Sequence, residues 1–259
     1  MSKINEDFID PKNNIGITIA RNGDTLSDML NRYIDSDINL QFFLMSPIST
    51  KIDKLDEKEI LDIKHIITKF KKKCFVHAPY VINICKKWNT NIDLINYHLK
   101  IGKIIGVSGI VIHVGKITKM DFNEAMNNMY ETIKTCLNYA TKECPLLLET
   151  PAGQGTETLT NMNDFINFIL KFDTDKFGCC VDTCHVFASG YYPDIYLIEV
   201  LIRIPDKLKL IHFNGSKKEF NSYVDSHEYF SNSNNKIHRF IMNRCINLIS
   251  MYNIPSVIE

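Results

Sequence analysis

Residues 146–149 are Leu146-Leu147-Leu148-Glu149, and further along 178–182 are Gly178-Cys179-Cys180-Val181-Asp182. Each is a short, unbroken apolar run that closes on a carboxylate. Runs of this kind are how strands buried on both faces look. Between them, residues 163–172 open on Asn163 and place apolar side chains at helical spacing. Two doubly buried strands joined by an amphipathic helix predict one unit of a parallel sheet.

The same alternation extends in both directions. Upstream, strands are expected at 14–20 (NIGITIA), 40–45 (LQFFLM), 74–77 (CFVH) and 110–113 (IVIH); downstream, at 208–213 (LKLIHF) and 256–259 (SVIE). Helical patterns fall between them: a run with Leu26, Met29, Leu30 and Tyr33, then 53–70, 93–105, 121–139, 195–204 and 238–252. Several open on Asp or Asn, which favour helix N-caps. Eight strands in 259 residues predict an α/β protein with one domain over 1–259, a closed (β/α)8 TIM barrel. The eighth helix is absent, because the chain stops at Glu259 inside the eighth strand. The longest irregular segment is 214–235.

Composition narrows the function classes. Lys plus Arg and Asp plus Glu number 30 each, so a basic field over the whole molecule is excluded as a means of attracting nucleic acid. Eight cysteines would suggest a disulfide framework only in a short secreted chain. Here the start, Met1 to Glu6, is polar with no apolar core segment, and Cys74, Cys179 and Cys180 sit inside strand-like runs. Buried free thiols in a reducing, intracellular compartment are the expectation. No apolar stretch approaches the roughly 20 residues of a membrane span. The abundance of Ile, Asn and Lys points to an AT-rich genome such as that of a large DNA virus.

The chemistry lies at the strand ends. The third strand closes on His77, the fourth on His113, the fifth on Glu149 and the sixth on Asp182; the seventh carries His212 and the eighth ends in Glu259. In a barrel these ends share the rim where active sites are built. His185, Asp225 and His227 follow close behind. Carboxylates and imidazoles do not gather on a low-dielectric rim without positive charge to neutralise them. Imidazole with carboxylate, and no cysteine at these positions, favours zinc or manganese in an open catalytic site. The ligand set is too large for one tetrahedral ion and suits about three.

These residues resemble the endonuclease IV family of apurinic/apyrimidinic endonucleases, from about Ile15 to Glu259. The likeness rests on 148–155 (LETPAGQG), 181–191 (VDTCHVFASGY), 212–217 (HFNGSK) and 225–227 (DSH). It implies three zinc ions per chain. His77, His113 and Glu149 would hold one; Glu149 would bridge to a second held by Asp182, His212 and Glu259; His185, Asp225 and His227 would hold a third. It implies Glu149 as the catalytic bridging carboxylate, and hydrolysis of the phosphodiester 5′ to an abasic site in double-stranded DNA. The products would be a 3′-hydroxyl and a 5′-deoxyribose phosphate. Tyr80 and Val81 match the positions of a minor-groove wedge. Gln41 and Ile48 fall where a second DNA-facing loop belongs, and Lys217 suits a phosphate. A monomer is expected. A ligand on the last residue frays readily, which predicts weak occupancy of the second zinc or a longer natural chain.

Two other readings share parts of this pattern. A sugar isomerase or epimerase on the xylose-isomerase-like barrel would use Glu149, Asp182, His212 and Glu259 but would not need His185, Asp225 and His227. A DNA-damage-binding protein that does not cut would not require a water-activating cluster.

Overall fold

The computed structural model describes residues 14–21 and 23–259. The polar start from Met1 to Glu6 lies outside the described residues. Eight parallel strands close a barrel: β1 (Ile15–Ile19), β2 (Leu40–Phe42), β3 (Cys74–His77), β4 (Ile110–Ile112), β5 (Leu146–Glu149), β6 (Phe177–Asp182), β7 (Leu208–His212) and β10 (Ser256–Ile258). Neighbours follow chain order, and β10 returns to pair with β1 through Gly16 and Val257. This is the expected (β/α)8 barrel.

The helices are α1 (Leu26–Asn31), α2 (Glu57–Ile67), α3 (Asn89–Ile105), α4 (Phe122–Cys136), α5 (Met162–Leu170), α6 (Thr183–Ala188), α7 (Pro193–Arg203) and α8 (Arg239–Met251). Eight are present among the described residues although none follows the last strand, because two lie between β6 and β7. Their starts obey local rules. Asp56, Asp121 and Asn161 each accept backbone N–H groups from the first turn of α2, α4 and α5. The helix expected from residue 93 begins earlier, at Asn89, and ends on Gly106 in the left-handed region. The segment expected to be irregular holds a small antiparallel ladder, β8 (Gly215–Ser216) with β9 (His227–Glu228).

Two cores divide the apolar side chains. The larger lies between strands and helices and contains the buried faces of α1 through α8. The smaller plugs the barrel: Phe75, Val111, Leu147, Cys180, Leu210 and Val257, one from each of six strands. Side chains alternate along a strand, so the residue two places beyond each plug residue also faces inward, one layer nearer the C-terminal rim. All eight cysteines are free and buried. Among the described residues, no helix is long and apolar enough to cross a membrane.

Candidate metal centre

Two places beyond the six plug residues stand His77, His113, Glu149, Asp182, His212 and Glu259. The plug and the polar ring are successive inward layers of one barrel. Two further elements complete the cluster. Asp182 Oδ1 caps α6 by accepting the backbone N–H of His185 at 2.9 Å, which brings His185 over the rim. The β8–β9 ladder brings His227 back towards the barrel, with Asp225 just before it.

The donor atoms fall into groups within 4.8 Å: His77, His113 and Glu149; Glu149, Asp182, His212 and Glu259; and His185, Asp225 and His227. Glu149 belongs to two of them. Its Oε2 lies 3.2 Å from His77 Nε2 and 3.1 Å from His113 Nε2, while its Oε1 lies 2.9 Å from His212 Nδ1. His212 Nδ1 is also 3.2 Å from Glu259 Oε2. Asp225 stands between two imidazoles, 3.2 Å from His185 Nε2 and 3.1 Å from His227 Nε2. A fourth grouping, Asp182, Cys184 and His227, had no counterpart in the sequence reading. Burial pushes the Cys184 thiol up to about 12, so in the metal-free protein it stays protonated.

Tautomers decide what this cluster can hold. His77 Nδ1 lies 2.6 Å from the Ala78 carbonyl and His185 Nδ1 2.8 Å from the Thr150 carbonyl. His212 Nε2 lies 2.9 Å from Gln41 Oε1. These oxygens only accept, so each nitrogen facing them carries the proton. The other ring nitrogen of all three histidines then faces carboxylate oxygen. Lone pair against carboxylate is repulsive unless a proton or a cation lies between. His185 Nε2 and His227 Nε2 are buried without a hydrogen-bond partner despite their closeness to Asp225. The donor set therefore fits metal ions, with second-layer acceptors orienting the imidazoles.

Without ions, protons must fill the same gaps. Burial alone would lower His212 and His185, but neighbouring acidic groups outweigh it and hold both well above the usual imidazole range. Burial would raise Glu149, yet His212 and His113 hold it well below the usual carboxylate range. Glu259, against the same burial, is held at about 2 chiefly by His212.

The positions expected to meet DNA divide. Tyr80 and Val81 are half-exposed on the loop after β3, and Tyr80 stacks on His113 with centroids 5.2 Å apart. Ile48 is 78% exposed on the neighbouring loop, and the Tyr80 N–H donates to the Pro47 carbonyl at 2.8 Å, tying the two loops together. The Lys217 side chain is exposed. Gln41 is the correction: it is fully buried in β2, not on a surface loop. It faces inward like its ladder partner Phe75, and both ends of its amide are engaged inside the barrel.

Sequence reasoning missed the supports of the ring. Asn214 donates to Asp182 Oδ2 at 2.6 Å and accepts the Glu259 N–H at 2.9 Å. Gln41 Nε2 donates to Glu259 Oε1 at 2.8 Å. The last residue is thus clasped by two buried amides. Asn214 stood in a quoted motif, but its partners come from other strands and leave no local trace.

The cleft over the cluster has a volume of about 240 Å³ and is lined by Tyr80, His113, Glu149, Gln154, His185, Asp225, His227 and Glu259, among others. Comparison with known proteins places this geometry. Residues 38–241 match the family model of the xylose isomerase-like TIM barrel. A probable endonuclease 4 of Sulfurihydrogenibium sp. (strain YO3AOP1) is 31% identical over 206 residues, covering 74% of this chain and 73% of that protein. Endonuclease IV from Thermus thermophilus superposes with a TM-score of 0.81 at 20% identity, covering 95% of this chain and 91% of the other. A D-tagatose 3-epimerase-like protein also superposes, with a TM-score of 0.71 at 12% identity over 94% of this chain and 89% of its own. Fold alone therefore does not separate nuclease from epimerase. The sequence match does: this chain belongs to the endonuclease IV family, built on a xylose isomerase-like TIM barrel.

Proposed function

We propose that this protein hydrolyses the phosphodiester bond 5′ to an abasic site in double-stranded DNA, leaving a 3′-hydroxyl and a 5′-deoxyribose phosphate, with three zinc ions in the cluster. One observation carries the reading. A single carboxylate, Glu149, is shared by two donor groups, and a third group adjoins them through Asp182, whose Oδ2 lies 3.6 Å from His227 Nε2. Zinc at such a site supplies a water of near-neutral pKa and positive charge for a phosphate.

The chain's own residues do the rest. Glu149 holds the two groups at fixed separation. Gln41, Ala78 and Thr150 fix which nitrogen each histidine offers. Tyr80, stacked on His113, closes one side of the cleft and, with Val81 and exposed Ile48, offers apolar side chains to the gap left by a missing base. Lys217, exposed just beyond β8, would meet a phosphate, and with the net charge at zero such local cations carry the backbone contacts. Eight buried thiols suit a reducing interior, and we assign the protein to the cell interior as a monomer.

Incubating the purified protein with an abasic-site duplex, with and without chelator, beside metal analysis tests this. About three zinc ions per chain and chelator-sensitive 5′ incision are expected. Sugar interconversion with one or two manganese ions would replace the reading by an isomerase, and DNA retained uncut by metal-loaded protein by a binder.

A further inference from the structure

Beyond Tyr80 the rim cleft continues. A second cavity of about 250 Å³ shares Tyr80, His113 and Lys116 with the first and runs on to Lys86 and Trp88. Trp88 is the only tryptophan in the chain and is 55% exposed. The Lys86 ammonium sits 4.4 Å from the centre of its ring. An exposed indole with a cation beside it thus stands at the end of a cleft that begins at the candidate metal ligands, a pairing suited to a stacked ring with a phosphate attached.

The loop is held so that Trp88 stays there. Asn83 bonds the Lys116 backbone twice, accepting its N–H and donating to its carbonyl, both at 2.9 Å. Asn91 donates to the carbonyls of Asn83 at 2.7 Å and Lys86 at 3.3 Å. Asn128 donates to the Cys85 carbonyl at 3.1 Å. Gly115 packs so closely on Cys85 that an added Cβ would collide with its sulfur. Trp88 then starts the 17-residue helix α3, which has no side-chain cap. Three asparagines, a close backbone approach and a helix start fix the backbone from which the indole projects.

We propose that Lys86 and Trp88 form a nucleotide shelf: Trp88 stacks on a base or sugar of the strand beside the lesion, and Lys86 meets its phosphate. The proposal rests on the DNA substrate proposed above. Aromatic stacking with adjacent cations is a sequence-tolerant way of holding a strand whose bases have lost a neighbour. It also supplies local positive charge that the neutral whole molecule lacks.

Because Trp88 is the only tryptophan, its fluorescence reports on the shelf alone. The zinc-loaded protein is titrated with a synthetic duplex already nicked 5′ of a tetrahydrofuran residue, which leaves nothing to cut. Cleavage of an intact abasic duplex is measured in parallel. Trp88 emission should be quenched with the same midpoint as the anisotropy of labelled DNA. W88A should weaken Kd and raise KM about 5- to 30-fold, with kcat nearly unchanged and W88F close to wild type. K86A should lower the slope of log Kd against log salt by about one. If wild type cleaves and binds but Trp88 emission does not change, or W88A binds within about twofold of wild type, the shelf is overturned while the nuclease reading stands. If wild type neither cleaves nor binds abasic DNA, the nuclease reading fails and the shelf fails with it.

Discussion

Gln41 Oε1 lies 2.9 Å from His212 Nε2, and the orientation of the Gln41 amide is not free to reverse. Its Nε2 donates to the Glu259 carboxylate at 2.8 Å, and a carboxylate only accepts. His212 must therefore carry its proton on Nε2 and present Nδ1 to Glu149 and Glu259. A buried glutamine thus sets the tautomer of one proposed ligand and the position of another.

Q41A removes the acceptor that orients His212 Nε2 and leaves Asn214 as the one amide holding Glu259. Metal affinity at the group containing Asp182, His212 and Glu259 should fall about 10- to 100-fold, with the other two groups less affected. Titration with limiting zinc, read as bound zinc per chain, checks this. Full retention at submicromolar zinc would show that Gln41 does not orient the site.

E149Q removes the charge shared by two donor groups while keeping the shape. Abasic-site cleavage should fall at least about 100-fold, and at least one zinc should be lost, with circular dichroism unchanged. Glu149 lies one inward layer beyond the plug residue Leu147 at the strand end, and the isosteric amide keeps that packing while removing the charge.

G16A tests how the barrel closes. An added Cβ at Gly16 would collide with the Asn39 backbone oxygen, where only glycine lets β1 pass. Asn39 cannot yield easily, since its side chain donates to the Asn14 carbonyl at 2.7 Å and accepts from the Lys73 N–H at 3.1 Å. The cost should be about 3 kcal/mol or more, seen as a melting temperature lower by roughly 6–12 °C.

His98 should make the fold acid-sensitive, chiefly through its burial outside the ring of candidate ligands. Its Nδ1 donates to the Leu94 carbonyl at 2.7 Å, and its Nε2 is buried without a partner. Burial lowers its pKa from 6.5 to about 4, so the folded protein keeps it neutral while the unfolded chain takes up a proton. The unfolded state binds more protons between these values, so stability is full above pH 6.5 and falls as pH drops towards 4. The contribution lost is of order 3 kcal/mol. Urea denaturation of wild type and H98M at pH 7 and pH 4.5 should show a smaller drop in the variant. Equal drops would place the acid sensitivity elsewhere.

The barrel and the membership of the ring are legible in the chain alone, because both are written in one dimension. A doubly buried parallel strand is a short apolar run, and its last inward position falls two residues beyond the plug, as Leu147 and Glu149 or Leu210 and His212 illustrate. Element ends were less legible. The helix pattern from residue 93 hid a start at Asn89, because Trp88 offers no capping side chain. Within 214–235, the two-residue strands β8 and β9 are too short to show a period.

How the ring is held emerges only in three dimensions. Gln41 reads as a polar residue near a loop, and nothing local shows that β2 turns it inward to face His212, 171 residues away. Asn214 likewise reaches Glu259 across 45 residues. Hydrogen bonds between distant strands are set by barrel register and closure. Periodicity reports which face a side chain takes, but not which side chain from another strand it will meet there.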